Sequence, residues 1–272
     1  MRARPELRRL AAQPHPAARP LAAGLAAALS GRESVGERAA IARIEALRAR
    51  LLTCDRALTV VEYGQGAGGT SSPAGDSSSG RTVTRTVGEI CRTTSKPPRW
   101  GFLLFQLVRH LRPERCLELG TSLGISAAYQ AVALSLNGRG RMTTLEGAEP
   151  VATLAASNLN ELGLPHARVV VGRFQDTIDG AVRELGLIEF AFVDGHHDRE
   201  ATIAYFNRIA RGADTHAVVA FDDIAWSQGM EEAWRTIRRD RRVALIIDLG
   251  DVGICALGEG QSRPFELALQ FA

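Results

Sequence analysis

Cysteine is scarce in this chain, four in 272 residues, and Cys54, Cys91, Cys116 and Cys255 show no Cys-x-x-Cys spacing and no neighbouring histidines. That argues against a zinc module and a disulfide scaffold, and it makes a reducing cytoplasm the expected location. Long hydrophobic runs are missing as well. The stretch LAAGLAAALSG, Leu21 to Gly31, is too short to span a bilayer and is broken by a glycine. It reads as an alanine-rich helix in a poorly ordered beginning rather than as a signal-peptide core. An excess of one charge is absent too: the formal net charge is +3, and it comes from the arginine-rich first fifty residues. Neither nucleic acid nor a membrane is therefore expected as a partner. A small-molecule partner is expected, and a homodimer stays open.

What is present is 45% hydrophobic residues, enough for one sizeable core. Composition separates three regions. Residues 1–62 read as a partly disordered helical extension, with Ile41, Ile44, Leu47 and Leu51 recurring at helical spacing. Residues 63–82 contain GQGAGGTSSPAGDSSSG, too rich in glycine and serine to bury apolar surface, and read as a flexible loop or lid. Residues 83–272 alternate strand and helix patterns. RCLEL, RMTTLEG, ARVVVG, IEFAFVDG and HAVVAFDDI are the strand candidates, with helical stretches between them. Such units predict an α/β doubly wound, mostly parallel sheet of seven strands, Rossmann-like, covered on both faces. VALIIDL and VGICAL are too close for a crossover and predict a C-terminal antiparallel hairpin, with FELALQF as a further edge strand.

In such sheets ligands bind beyond the carboxyl ends of the strands. The first strand ends in CLELGTSLGIS, a glycine turn leading into a helix. Its spacing departs from the dinucleotide pattern, because Ser122 stands between Gly120 and Gly124 where a glycine would be expected. Glu118, inside the strand, would repel a pyrophosphate and attract a cation. Glu146 closes the second strand and suits the two hydroxyls of a ribose, or a helix start. Gln175 and Asp176 offer an amide and a carboxylate to a base edge. Asp194 closes the fourth strand, followed by His196 and His197, and Asp222 and Asp223 close the fifth. Singly each carboxylate reads as a helix cap. Three at one rim call for a cation or protons, and the oxygen-only set suits magnesium, manganese or calcium, while the histidines leave a softer metal open.

From Arg115 to Leu257 the motifs ELGTSLGIS, TLEG, GRFQD, FVDGHHDRE and FDDIAW resemble those of class I S-adenosylmethionine-dependent methyltransferases, in detail the catechol and caffeoyl-coenzyme-A O-methyltransferase branch. The resemblance implies that the turn with Glu118, Gly120, Thr121, Ser122, Gly124 and Ser126 wraps the methionine end of S-adenosylmethionine. It implies Glu146 and Gly147 at the ribose, Gln175 near the adenine, and Asp194, Asp222 and Asp223 as magnesium ligands. Asp194 would also face the cofactor and the reaction. Two positions depart from the family pattern. His197 stands where a lysine usually serves as general base, and Asp223 where the third ligand is usually asparagine. A neutral imidazole can take a substrate proton, so His197, with His196 beside it, is the expected base. The segment KPPRWGFLLFQLVRH, Lys96 to His110, is expected as a covering helix, with its leucines and phenylalanines in the core and Trp100, together with Tyr63, lining the site. A nicotinamide-dependent oxidoreductase and a non-catalytic binding protein are the rival readings.

Overall fold

The structure, a computed structural model, describes residues 3–62, 81–258 and 263–271. Three helices open the chain: α1 (Arg4–Ala11), α2 (Ala18–Ser30) and α3 (Val35–Leu52). The beginning expected to be poorly ordered is thus helical. Leu7, Leu10, Leu21 and Leu25 are buried in the main core. The small residues of α2 explain this, since they allow an approach to backbone that larger side chains would block. A Cβ at Gly24 would sit 3.0 Å from the carbonyl oxygen of Gln106. In α3 the helical spacing holds, with Ile44, Leu47 and Leu51 buried and a capping box between Ser34 and Glu37 at its start.

Strands β1 (Ala57–Glu62) and β2 (Arg81–Thr86) pair antiparallel. The glycine- and serine-rich stretch between them, with Tyr63 and any lid, lies outside the described residues. Helices α4 (Val87–Thr94) and α5 (Pro98–Leu111) follow. Leu103, Leu104, Phe105 and Leu107 of α5 are in the core, as expected. Trp100 is in the core as well, its ring 4.8 Å from that of Phe271, so it does not line the site. Its position one turn into an amphipathic helix puts it on the buried face with Leu103, Leu104 and Leu107.

The main sheet then forms in alternation: β3 (Arg115–Leu119), α6 (Ile125–Asn137), β4 (Arg141–Glu146), α7 (Glu149–Glu161), β5 (Ala167–Val171), α8 (Phe174–Leu185), β6 (Ile188–Val193), α9 (Arg199–Arg211), β7 (Ala213–Phe221), α10 (Gln228–Arg238), β8 (Val243–Asp248), β9 (Gly253–Leu257) and β10 (Phe265–Ala268). Its order is β10-β8-β9-β7-β6-β3-β4-β5, eight strands rather than seven, the additional one being the short edge strand β10 beside β8. β9 runs antiparallel to β7 and β8, which is the expected hairpin, and the remaining pairs are parallel. Alternation sorts the strand residues to two faces. Cys116, Phe190, Phe192, Val218 and Ala220 join the core under the N-terminal helices, α5, α6 and α7. Leu117, Leu119, Ala191, Val193 and Val219 join the core under α8, α9 and α10.

The chain builds outward from β3 to β4 and β5, then returns to lay β6 on the other side of β3. The carboxyl ends of β3 and β6 therefore diverge into a crevice, where open α/β sheets bind ligands.

Candidate active site

The turn after β3 passes hard against the end of β6. Gly120 has φ +102°, and a Cβ there would overlap the backbone carbonyl oxygen of Asp194. Gly120 N–H and Thr121 N–H both donate to the carbonyl of Leu145, and Gly124, with φ +85°, starts α6. A cavity of about 320 Å³ opens in front of this turn. Gly120, Ser122, Glu146, Gly147, Gln175 and Asp194 line it together with His196, His197, Asp223 and Trp226. Five described non-glycine residues have positive φ, and four of them, Ser122, His196, His197 and Asp223, are on this lining. Such backbone is unfavourable for side-chain-bearing residues and persists where surroundings over-determine it, commonly at functional sites.

Glu146 is held rigidly. Its Oε2 accepts from Ser122 N–H at 2.8 Å and its Oε1 from Ala148 N–H at 3.0 Å, so the carboxylate links the strand end to the turn. Burial pushes its carboxyl above the usual range, against the pull of these backbone donors.

Glu118 faces elsewhere. Alternation along β3 puts it on the Cys116 face, toward α6, and it is fully buried and does not line the cavity. Gln130 donates to its Oε1 at 2.7 Å and Thr144 to its Oε2 at 2.6 Å; Thr121 reaches Thr144 at 2.6 Å. Thr121 and Ser126 are likewise buried and support the turn from behind. Glu118, expected to face a cation, thus lies behind the turn and not on the cavity lining. Burial pushes the Glu118 carboxyl up to about 8, opposed by hydrogen bonds from Thr144, Ser126 and Gln130. The unfolded chain releases this proton near 4.5, whereas the folded protein keeps it to about 8. The group's stabilising contribution is thus full below the lower value and is lost as pH rises through the higher one. Urea unfolding between these limits should show a decline approaching about 1.4 kcal/mol per pH unit that Glu118→Gln removes; parallel profiles for the two proteins would contradict this.

His197 is caught between two carboxylates. Its Nε2 lies 3.9 Å from Asp194 and its Nδ1 3.5 Å from Asp223. The buried Nδ1 has no hydrogen-bond partner. Burial raises the Asp194 carboxyl, with Lys96 and His197 opposing. His196 turns away: its Nδ1 is 3.0 Å from the hydroxyl of Tyr205, and burial lowers its pKa. Asp223 does not cap the next helix, since Ser227 does so for α10.

Among the described residues, Asp194, Asp222 and Asp223 form no metal cage as they stand, and no other group of three histidines, cysteines or acids gathers as one. The ammonium of Lys96 pairs with Asp222, which is buried, and stands 3.6 Å from Asp223. Motif reading passed over Lys96, although it is the sole lysine of the chain, and that rarity was the signal that could have found it. Arg85 and Thr94 on the lining were likewise not legible, because neither belongs to a strand-end motif, and Arg173 lies within GRFQD, of which only Gln175 and Asp176 were singled out.

Residues 117–224 match the family model of a methyltransferase domain. No curated protein matches the chain in sequence. Among solved structures, the O-methyltransferase TomG from Streptomyces achromogenes, involved in tomaymycin synthesis and solved with S-adenosylmethionine, is 25% identical. That likeness covers 62% of this chain and 83% of that one, with a TM-score of 0.52. An O-methyltransferase from Bacillus cereus, solved with S-adenosylhomocysteine, is also 25% identical over 61% of this chain and 83% of that one, with a TM-score of 0.52. Cofactor-bound Rv0187 from MTB, at 21% identity and a TM-score of 0.52, shares the fold over 91% of this chain and the whole of that one. None of these likenesses supports the oxidoreductase or the non-catalytic reading. Residues 117–224 thus carry a methyltransferase domain, on a fold the chain shares with O-methyltransferases solved with S-adenosylmethionine or S-adenosylhomocysteine.

Proposed function

We propose that this protein methylates an oxygen of a small-molecule acceptor. The observation that carries this reading is His197, a ring nitrogen without a partner, set between Asp194 and Asp223 on the lining of the cavity that the Gly120 turn and Glu146 also line. The cavity fits the donor. A backbone turn without side-chain bulk at Gly120, a fixed carboxylate at Glu146 and the Gln175 amide suit a methionine end, a ribose and an adenine in that order. When bound, S-adenosylmethionine would supply an electrophilic methyl for the acceptor oxygen, with the neutral thioether S-adenosylhomocysteine as the leaving group.

The chain's own residues do the rest. The Gly120 to Gly124 turn and Glu146 orient the donor, and Asp194 faces it from the end of β6. His197 takes the acceptor's hydroxyl proton, and the flanking carboxylates of Asp194 and Asp223 stabilise the imidazolium that results. His196, hydrogen-bonded to Tyr205, holds the loop that carries His197 rather than the proton. Positioning of this kind supplies most of the rate in such displacements. Trp226, half exposed and with its ring 6.3 Å from that of His197, offers an apolar face to the acceptor.

Isothermal calorimetry with S-adenosylhomocysteine, followed by mass spectrometry of phenolic and alcoholic acceptors incubated with S-adenosylmethionine, tests the reading. Absence of cofactor binding would defeat it, and methylation confined to amines would move the reaction from oxygen to nitrogen. In the same calorimetry Glu146→Ala should weaken S-adenosylhomocysteine binding by roughly 1–3 kcal/mol, the loss expected when a buried acceptor of hydroxyl hydrogen bonds is removed. Unchanged affinity would remove Glu146 from the ribose.

A further inference from the structure

Of the 33 lysines and arginines in the chain, 32 are arginine, and the single lysine, Lys96, is the one whose ammonium reaches the acid rim of the cavity. Its side chain is only 15% exposed. Asp222 is 1% exposed, and apart from the ion pair with Lys96 neither of its carboxylate oxygens has a hydrogen-bond partner, so Lys96 is the charge that compensates it. The loop that carries Lys96 is tightly defined. It leaves α4 at Thr94 and enters α5 at Pro98, and Pro97 directly after Lys96 restricts its backbone to extended conformations. The ammonium is therefore presented from a rigid corner, between a buried carboxylate and a cavity-lining one.

Resting on the methyl-transfer reading above, we propose that Lys96 is the built-in cation of the acceptor subsite, occupying the carboxylates a divalent ion would need and holding the acceptor oxygen in its place, so that methyl transfer here requires no metal. A lysine suits this role where an arginine does not. Its charge is compact and its three donors rotate, so it can pair with Asp222 and Asp223 and still turn a proton toward an acceptor oxygen. The planar guanidinium would spread its donors over the two carboxylates and fill the space beside them. The ammonium attracts the oxygen most strongly as it gives its proton to His197 and gains negative charge, which is the condition for lowering a barrier rather than only binding the ground state.

The lysine and a divalent ion compete for one carboxylate, and that competition is the test. The full-length protein, saturated with S-adenosylhomocysteine, is titrated with Mn²⁺ and followed by the electron paramagnetic resonance of the free ion. Melting curves are recorded with Mn²⁺ and with EDTA. The wild type should leave the Mn²⁺ signal undiminished and melt identically in both. Lys96→Ala and the bulkier neutral Lys96→Gln should each take up about one equivalent and melt higher with Mn²⁺ than with EDTA, as oxygen-rich sites do when vacated. On an acceptor found by the screen above, Lys96→Gln should lower kcat by roughly 100-fold with little change in cofactor KM, and ethylammonium should restore part of the rate to Lys96→Ala.

Stoichiometric Mn²⁺ uptake by the wild type would overturn the proposal, as would two variants that bind Mn²⁺ no better than it does. If either variant fails to fold, the other variant and the wild-type titration still decide. Failure of the wild type to bind S-adenosylhomocysteine would defeat the methyltransferase reading, whereas S-adenosylhomocysteine binding together with wild-type Mn²⁺ uptake would defeat the lysine alone.

Discussion

Gly120→Ala is expected to lose cofactor binding altogether and to cost more than about 4 kcal/mol of stability, the range reserved for a few severe backbone and core lesions. Two effects add. At φ +102° an L side chain is strained in any surroundings, and here the new methyl would overlap the carbonyl oxygen of Asp194. That carbonyl belongs to strand-end backbone, tied by Asp194 N–H to Leu119 at 2.8 Å, and it cannot swing aside as a side-chain tip would. Relief requires β3 and β6 to part at the crevice, which moves the turn, Asp194 and the histidine loop together. Urea unfolding and calorimetry with S-adenosylhomocysteine measure both losses. A folded variant that still binds would show that the strands can part without harm. Alanine at Gly138, which has positive φ but nothing within 4 Å, serves as the control and should cost far less.

His197→Ala is the second large effect, and it should leave the fold and the cofactor affinity in place. Turnover on an identified acceptor should fall by roughly 10²- to 10⁴-fold, the usual worth of a positioned general base. The loss should appear in kcat, because the ring contacts the proton in flight and not the donor. His197 has one buried ring nitrogen without a partner and acids at 3.5 and 3.9 Å, whereas His196 is already engaged with Tyr205. His196→Ala should therefore be the milder change, acting through the loop. Equal losses in both variants would mean that the loop as a whole, and not one imidazole, carries the effect. Full activity in His197→Ala would leave proton removal to solvent or to a carboxylate.

Much of the architecture was legible because it rests on local periodicity. Apolar runs closing on glycine or acid identify β3, β4, β6 and β7, and the short link between β8 and β9 dictates an antiparallel pair whatever surrounds it. The strand-end acids and histidines were legible as well, since in a sheet of this order the carboxyl ends share one rim. Glu118 was misplaced for a reason equally local. Motif order puts it beside the glycine turn, but alternation along β3 turns it to the opposite side, into the network of Thr144, Gln130 and Ser126.

By itself, then, the sequence determined the strand–helix alternation, the glycine turn and the set of carboxylates and histidines at the strand ends, because each follows from spacings of a few residues. Tertiary structure decided what those groups do to one another. Residues 96 and 222 are far apart in the chain, and no periodicity places the ammonium of Lys96 on the carboxylate of Asp222. That contact follows from α5 packing on α6 and from the return of the chain to lay β6 and β7 beside β3. The alanine-rich α2 is similar: alone it has too little apolar surface to order itself, and it becomes core only where α5 presents a face close enough for Gly24 to touch backbone. Pairing a buried charge and burying a small-residue helix are both energies of contact across the fold, and such contacts exist only once the sheet has brought distant segments together.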